Sequence, residues 1–172
     1  MKKKIKIEKI TIVHAIDDNP DTSFLGEYTD DLQEGVIVRQ HDEFFEKLPE
    51  EDRYPDKGRN YRGFKPYAGG EKIGTPEYYK YGKQDYDRME SLNNGNWSFI
   101  GIYAKAEVSY DIGQGSRRLE TLQSGGLWGI ANDSGDHLKE VEQEELAALK
   151  EHLKAFGVNV KNFDKIEVER ED

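Results

Sequence analysis

A strict alternation of apolar residues in the middle of the chain constrains the fold more than any other feature. Within residues 100–110, one phase of the alternation is apolar or aromatic throughout, at Ile100, Ile102, Ala104, Ala106, Val108 and Tyr110. Because successive side chains of a strand point to opposite faces, this period predicts one long strand with a single buried face. Such a strand needs partners, so the rest of the chain must supply a sheet and a layer that covers it.

Two segments carry the signals of amphipathic helices. The first is predicted to begin at residues 75–77, where a capping Thr precedes Pro and Glu, and to run to about Leu92. Its apolar side is predicted to use Tyr78, Tyr81, Met89 and Leu92. The second helix has start signals at 133–136, a stop at Gly157 and an apolar stripe between them. That stripe consists of Leu138, Val141, Leu146, Leu149, Leu153 and Phe156.

The remaining elements are shorter, and together they predict an α+β fold. A strand is predicted over Ile5–Ile16 with a bulge near Glu8-Lys9, and 111–115 is predicted to turn the long strand into an antiparallel return over 116–124. Short strands are predicted at 36–39 and near Phe163, Ile166 and Val168, and 127–130 is predicted to be a short buried segment. We therefore expect one domain over 1–172, with an antiparallel sheet of about four strands, two helices on one face, and a long irregular region at 41–72.

Charge and composition exclude several classes of function. The 172 residues carry a net charge of −10 and contain no cysteine, which excludes thiolate metal sites, thiol nucleophiles and disulfides. Bulk charge of this sign opposes binding to nucleic acid. The net charge is −7 over 1–52, +3 over 53–132 and −6 over 133–172. We expect no signal peptide and no membrane-spanning segment, and the lack of cysteine suits a cytoplasmic location.

The chemistry-bearing side chains form no recognisable catalytic pattern. The glycines match neither a phosphate-binding loop nor a dinucleotide-binding motif, and no nucleophile elbow occurs. We therefore predict no catalytic residue, no cofactor and no metal site. One alternative is a metal-dependent hydrolase or nuclease that assembles His14, Asp17, Asp18 and His41, although these side chains are also typical of solvated turns.

A basic segment rich in aromatic residues lies at 53–67. Over 53–65 it carries five cations and one acid, interleaved with three aromatic rings. Cations of this kind bind phosphates or acidic proteins, and the rings stack on bases. The candidate contact residues are Arg53, Arg59, Tyr61, Arg62, Phe64 and Lys65. The ordinary alternative is a loop that its own aromatic residues hold against the protein, with its cations facing internal carboxylates.

The second predicted helix carries the opposite charge. Glu140, Glu144 and Glu151 are predicted to share its solvent face, joined by Glu142 and Glu145. Carboxylates spaced about 6–10 Å along such a helix resemble a phosphate backbone or fit an Arg-rich cleft. A solvated amphipathic helix without a partner is the ordinary alternative.

Five stretches together resemble a known class of protein. They are 23–28 (SFLGEY), 85–90 (DYDRME), 96–102 (NWSFIGI), 124–130 (SGGLWGI), and the acidic run 140–146. The chain is similar in these stretches to small acidic proteins of bacterial phages and mobile elements, among them anti-CRISPR and anti-restriction inhibitors. The resemblance rests on structural motifs and transfers no functional residue. It implies a protein that binds a component of host defence.

The leading hypothesis is therefore a non-enzymatic inhibitor that binds a bacterial defence nuclease, either a CRISPR effector or a restriction complex, in the host cytoplasm. The acidic helix, including Glu145, would face the basic nucleic-acid channel of the nuclease. The segment 53–67 would contact a second surface, or nucleic acid held by the nuclease. Two alternatives remain, namely the metal-dependent hydrolase or nuclease and a small nucleic-acid-binding module that uses 53–67.

Overall fold

The computed structural model describes residues 5–38 and 61–172. The chain divides into two compact units, of which the first contains 1–20 and 98–172 and the second contains 21–97. The single domain expected for 1–172 stays a prediction. No helix in the described part of the chain is long and apolar enough to cross a membrane.

The described helices and strands are named here in chain order. The strands are β1 (Ile5–Ile16), β2 (Gly26–Thr29), β3 (Ile37–Val38), β4 (Gly63–Pro66), β5 (Phe99–Gly113), β6 (Ser116–Gln123), β7 (Leu127–Ala131) and β8 (Val168–Glu171). The α-helices are α1 (Pro76–Asn93) and α2 (Asp136–Ala155). Two short 3-10 turns lie at Ala68–Gly70 and Phe163–Lys165.

The first unit is built on the long strand that the alternation predicts. β1 pairs antiparallel with β5 along its whole length, from Ile5 opposite Tyr110 to Ile16 opposite Ile100. β6 and β7 pair with successive parts of β5, and β8 pairs with β1, so that the main strand order is β6-β5-β1-β8. The register of β1 shifts between Ile7 and Lys9, which confirms the predicted bulge.

Helix α2 covers the apolar face of this sheet. Val141, Leu149 and Leu153 of the helix are buried in one core with Ile102, Ala104, Ala106 and their neighbours in β1. The small alanine side chains in β5 leave room for the helix backbone to approach. Gly157 ends the helix with φ 79°, and the Val158 N–H donates to the Leu153 carbonyl, which is the predicted stop in Schellman geometry.

The second unit pairs three strands in the order β2-β4-β3. The sequence predicts that the whole region 41–72 is irregular, but β4 lies inside it, so the prediction is wrong for 63–66. Residues 39–60 lie outside the part of the chain that the structure describes. Four residues bounded by Gly63 and Pro66 are too short to display a period. Pairing supplies the order instead, because Phe64 lies opposite Tyr28 on one side and Ile37 on the other.

Helix α1 begins at the predicted cap, where the Thr75 hydroxyl accepts the Tyr78 N–H, but its buried face differs from the predicted one. Tyr78, Gly82 and Met89 are buried, whereas Tyr81 is exposed. A side chain at Gly82 would collide with Pro66, so the missing side chain lets the helix approach β4. The helix therefore turns its glycine inward, and the adjacent tyrosine faces outward.

The α+β class is confirmed, with three differences in detail. The main sheet has five described strands and is mixed, because β8 runs parallel to β1. Each helix packs on the sheet of its own unit, whereas the prediction set both on one face of a single sheet. The last strand begins at Val168, because the predicted residue Phe163 lies in a 3-10 turn and packs into the core.

Gly101 provides a test of the packing at the end of β5. A methyl group at this position would lie 2.2 Å from Cε3 of Trp128, within the ring that covers the glycine. We expect Gly101→Ala to displace the indole and to lower the free energy of unfolding by about 1–3 kcal/mol. Urea unfolding followed by tryptophan fluorescence measures both effects. Gly125→Ala is the matched control, since no atom lies within 4 Å of its added methyl group; equal stability losses in the two variants would contradict this packing.

Asp85 provides a pH-dependent test in the second unit. Burial raises the pKa of its carboxyl, although the carboxylate accepts the Ala68 N–H at 2.7 Å. The folded carboxyl therefore ionises at higher pH than the unfolded one, so raising the pH through this interval lowers stability. Asparagine keeps an acceptor and does not titrate.

We expect Asp85→Asn to become progressively more stable, relative to the parent chain, as the pH rises from about 3 to 7. Denaturant unfolding across this pH range provides the measurement. Asp85→Ala is the control, because it also lacks the titration but loses the hydrogen bond to Ala68, and it should be less stable than Asp85→Asn at every pH. If the parent chain instead became more stable relative to Asp85→Asn as the pH rises, burial would not raise the pKa of Asp85 and the argument would be refuted.

Candidate functional site

The outward face of α2 carries a row of exposed carboxylates. Glu140, Glu144 and Glu151 are all exposed, and their positions fall within about 40° of one another around the helix axis. The rise of the helix separates the first two by about 6 Å and the last two by about 10 Å. These three residues are called the acidic face of α2 below. The structure thus places them together on one solvent-facing side of a rigid element.

Ion pairs along the helix leave the acidic face largely available. Glu140 lies 3.3 Å from Nδ1 of His137, and Glu151 accepts from Lys154 at 2.9 Å, both through i,i+3 contacts. Among the described residues, Glu144 has no ion pair. Exposed pairs of this kind contribute about 0–1 kcal/mol each, so a partner that brings its own cations can replace them at little cost.

Glu145 does not belong to the acidic face. It is half-buried, and its Oε2 accepts the backbone N–H of Gly126 at 3.1 Å. Gly126 has φ 78° and lies between β6 and β7, so this bond holds the connection between the two strands against the helix. The Glu145 carboxylate therefore contacts the protein's own backbone, and its contact with a partner stays a prediction.

Glu142 is also turned inward and forms a polar cluster that the sequence did not reveal. It is only 8% exposed, its Oε1 lies 3.0 Å from Nε2 of His14, and its Oε2 accepts from Arg170 at 2.7 Å. Nδ1 of His14 lies 3.7 Å from the Asp172 carboxylate. The cluster joins β1, α2 and β8. Its one sequence signal is that Glu142 lies four residues after Leu138 and seven before Leu149, on the apolar stripe.

The structure does not assemble the proposed hydrolytic metal site within the described residues. In 5–38 and 61–172, no three His, Asp or Glu side chains come close enough to hold a metal ion. His14 faces Glu142, and the Asp17 carboxylate accepts the backbone N–H of Asn19 at 3.2 Å. His41 lies outside the described residues. The metal-dependent alternative gains no geometric support from the side chains that are described.

The basic segment 53–67 is described only from residue 61, so Arg53 and Arg59 lie outside the described residues. Phe64 is fully buried and packs edge-on to Tyr28 with ring centroids 5.3 Å apart. The prediction that Phe64 contacts a partner is therefore wrong, because its ring is part of the core of the second unit. The signal was ambiguous, since an aromatic residue among cations suits both a stacking site and a core anchor.

The other described candidates of this segment lie at the surface of the second unit. The Tyr61 ring stacks on Tyr28 at 6.4 Å, and Nζ of Lys65 lies 4.0 Å from Glu27 on the neighbouring strand. The backbone N–H of Arg62 donates to Asp30 at 3.0 Å. These contacts match the alternative in which the segment is held to the protein by its own aromatic residues and carboxylates.

Comparison with protein-family models, curated proteins and solved structures gives no match. The functional argument therefore rests on the surfaces of the chain itself.

The Glu142 cluster generates a prediction about stability. We expect Glu142→Ala to lower the free energy of unfolding by about 1–3 kcal/mol, because it removes the acceptor of both His14 and Arg170. Denaturant unfolding measures the loss. Glu144→Ala on the outward side of the same helix is the control and should change stability by less than about 0.5 kcal/mol. Similar losses in the two variants would show that the buried cluster does not hold β8 and α2 together.

Proposed function

We propose that this protein is an inhibitor that binds a basic protein surface through the acidic face of α2. The observation that carries the proposal is the row formed by Glu140, Glu144 and Glu151 on the outward side of a helix that is anchored in the core. The resemblance to mobile-element proteins suggests the class of partner, a bacterial defence nuclease of the CRISPR or restriction type. Such a partner acts in the cytoplasm of the bacterial cell, which is the location that we propose.

The geometry of the row suits a groove that normally holds nucleic acid. A nucleic-acid backbone presents regularly spaced negative charges, and the proteins that bind it line their channels with Lys and Arg. Carboxylates spaced about 6 and 10 Å along a helix offer negative charge in a comparable line. Because Val141, Leu149 and Leu153 fix the helix on the sheet, the backbone of the row is preorganised, and binding has to order only the exposed side chains.

The charge of the whole chain assists the same encounter. A net charge of −10 attracts a basic channel over distances of about one Debye length, roughly 8 Å at physiological ionic strength. This long-range attraction raises the association rate, and contacts at the acidic face determine how long the complex lasts. The proposal therefore requires a binding constant that falls steeply with added salt.

Titration of the protein against purified Cas9-type and restriction nucleases tests the proposal. We expect binding at micromolar concentration and low salt, and we expect the triple variant Glu140→Gln, Glu144→Gln, Glu151→Gln to bind about tenfold to hundredfold more weakly. The variant should also show a shallower dependence on salt, since three charges are gone. Inhibition of nuclease cleavage, measured in parallel, should weaken by a similar factor.

A second triple variant separates the acidic face from net charge. Glu34→Gln, Glu71→Gln, Glu107→Gln removes the same number of charges from exposed positions outside α2. It should keep nearly the full affinity and a near-parental salt dependence. If the two triple variants bind equally well, net charge and not the acidic face is responsible. No binding to any nuclease tested at micromolar concentration and low salt would refute the assignment of the partner.

A further inference from the structure

A groove runs between the flank of α2 and the edge strand β8. It has two adjoining parts of about 400 and 570 Å³, which share Gln143, Leu146 and Val168 as lining residues. Ile12 lines the first part, and Phe163 lines the second. Val168 remains 37% exposed although it lies on the helix side of the sheet. The groove therefore has an apolar floor that α2 leaves partly uncovered.

β8 forms one side of this groove and an edge of the five-stranded sheet. It pairs in parallel with β1 on its inner side, and no strand in 5–38 or 61–172 pairs with its outer side. All four of its residues are exposed. An edge strand presents a row of backbone N–H and C=O groups that accept an added strand. The outer edge of β8 therefore has backbone hydrogen-bonding groups directly beside an apolar groove.

The two faces of β8 differ in charge at this edge. Val168 and Arg170 pair in register with Ile10 and Ile12, which places them on the side of α2. Glu169 and Glu171 lie on the opposite face. They form ion pairs with Lys9 and Lys105 at 2.6 and 2.7 Å. Both lysines belong to more central strands, so carboxylates are the outermost charges on this face.

The charged residues that line the groove on the helix side are paired. Arg170 donates to Glu142 at 2.7 Å, and Lys150 lies 2.7 Å from Asp164 at the far part of the groove. An added strand would therefore meet an apolar groove with paired charges on the helix side and an excess of negative charge on the other face. On that other face Glu107 lies opposite Lys9, so three carboxylates surround the two lysines. Because side chains of a strand alternate between the faces, these two environments select an alternating sequence.

We propose that the outer edge of β8 binds an extended segment of a partner protein in which apolar and basic residues alternate. The backbone of the segment adds a sixth strand to the sheet. Its apolar side chains enter the groove beside Leu146 and Val168, and its cations meet Glu169 and Glu171. This surface is separate from the acidic face of α2, so the inference goes beyond the function proposed above.

A second copy of the chain is a poor occupant of the same edge. In an antiparallel pair of β8 strands, residues that share a face lie opposite one another, so the Glu169–Glu171 face would oppose its own carboxylates. Like charges in such positions destabilise a strand pair. A partner that carries lysines or arginines at those positions gains from the same carboxylates that repel a copy.

A synthetic peptide tests the inference on the full chain. The probe is the end-blocked heptapeptide Lys-Val-Lys-Val-Lys-Val-Lys, titrated by calorimetry and by NMR of the protein amides. We expect a Kd below about 1 mM, and added hydrogen-exchange protection for outward-facing amides of Val168–Glu171. A probe with Glu in place of every Lys should not bind.

Backbone methylation of the probe distinguishes strand pairing from attraction between charges. The N–H groups of the three valines point to one edge of the extended probe, and those of the lysines point to the other. We therefore expect one of two N-methylated probes, methylated on the valines or on the lysines, to lose binding while the other keeps it. Equal affinity of both methylated probes would overturn the proposal.

Protein variants locate the site. Glu169→Gln, Glu171→Gln should weaken the probe about fivefold to tenfold, and Val168→Thr, which keeps the side-chain shape, should weaken it further by reducing the apolar floor. Glu34→Gln, Glu71→Gln removes two charges from the second unit and should bind normally.

Unchanged affinity in the β8 variants, or dimers of the chain formed through β8 at the concentrations used, would overturn the proposal. None of these measurements involves a nuclease, so they succeed or fail independently of the proposed function.

Discussion

The antiparallel pairing of β1 with β5 is the contact on which the rest of the described structure depends. It joins the start of the chain to a strand that follows the whole of 21–97, from Ile16 opposite Ile100 to Ile5 opposite Tyr110. Closing such a long connection costs conformational entropy, which the burial of a continuous apolar face offsets. Ile10 and Ile12 from one strand and Ile102 from the other are almost fully buried in that face. Helix α2 then packs on a surface that neither strand presents alone.

This pairing also determines where the sheet ends. β5 accepts β6 and β7 on one side, and on the other side β1 accepts the short parallel strand β8, the one further strand there within 5–38 and 61–172. The Glu142 cluster holds that short strand, because its carboxylate contacts both His14 of β1 and Arg170 of β8. A four-residue edge strand offers few backbone hydrogen bonds of its own. A partly buried ion pair therefore fixes the geometry of the edge, and the groove beside it follows from the same arrangement.

The elements with a long period could be predicted from the sequence, whereas those that depend on pairing could not. The alternation through β5 and the stripe of α2 extend over enough residues to identify a strand and a helix, and Gly157 stops the helix where expected. β2 and β4 have only four residues each, and contacts distant in sequence define them. The acidic face was predictable because exposure follows helical phase. The burial of Phe64 was not, since an aromatic residue in a short segment suits a core as well as a surface.

The five glutamates within 140–151 show why charge along a helix does not describe its surface. Three of them form the acidic face, whereas Glu142 and Glu145 face the sheet and accept from Arg170 and from the Gly126 backbone. A segment net charge counts all five equally, but only helical phase and tertiary contact decide which carboxylates a partner can reach. Glu142 stabilises β8 because its carboxylate binds His14 and Arg170 within the protein. Glu144 is available for contact with another molecule because no residue of the described chain forms an ion pair with it. The acidity of this region therefore divides into a part that assembles the sheet edge and a part that is exposed to solvent, and substitution at each position separates them.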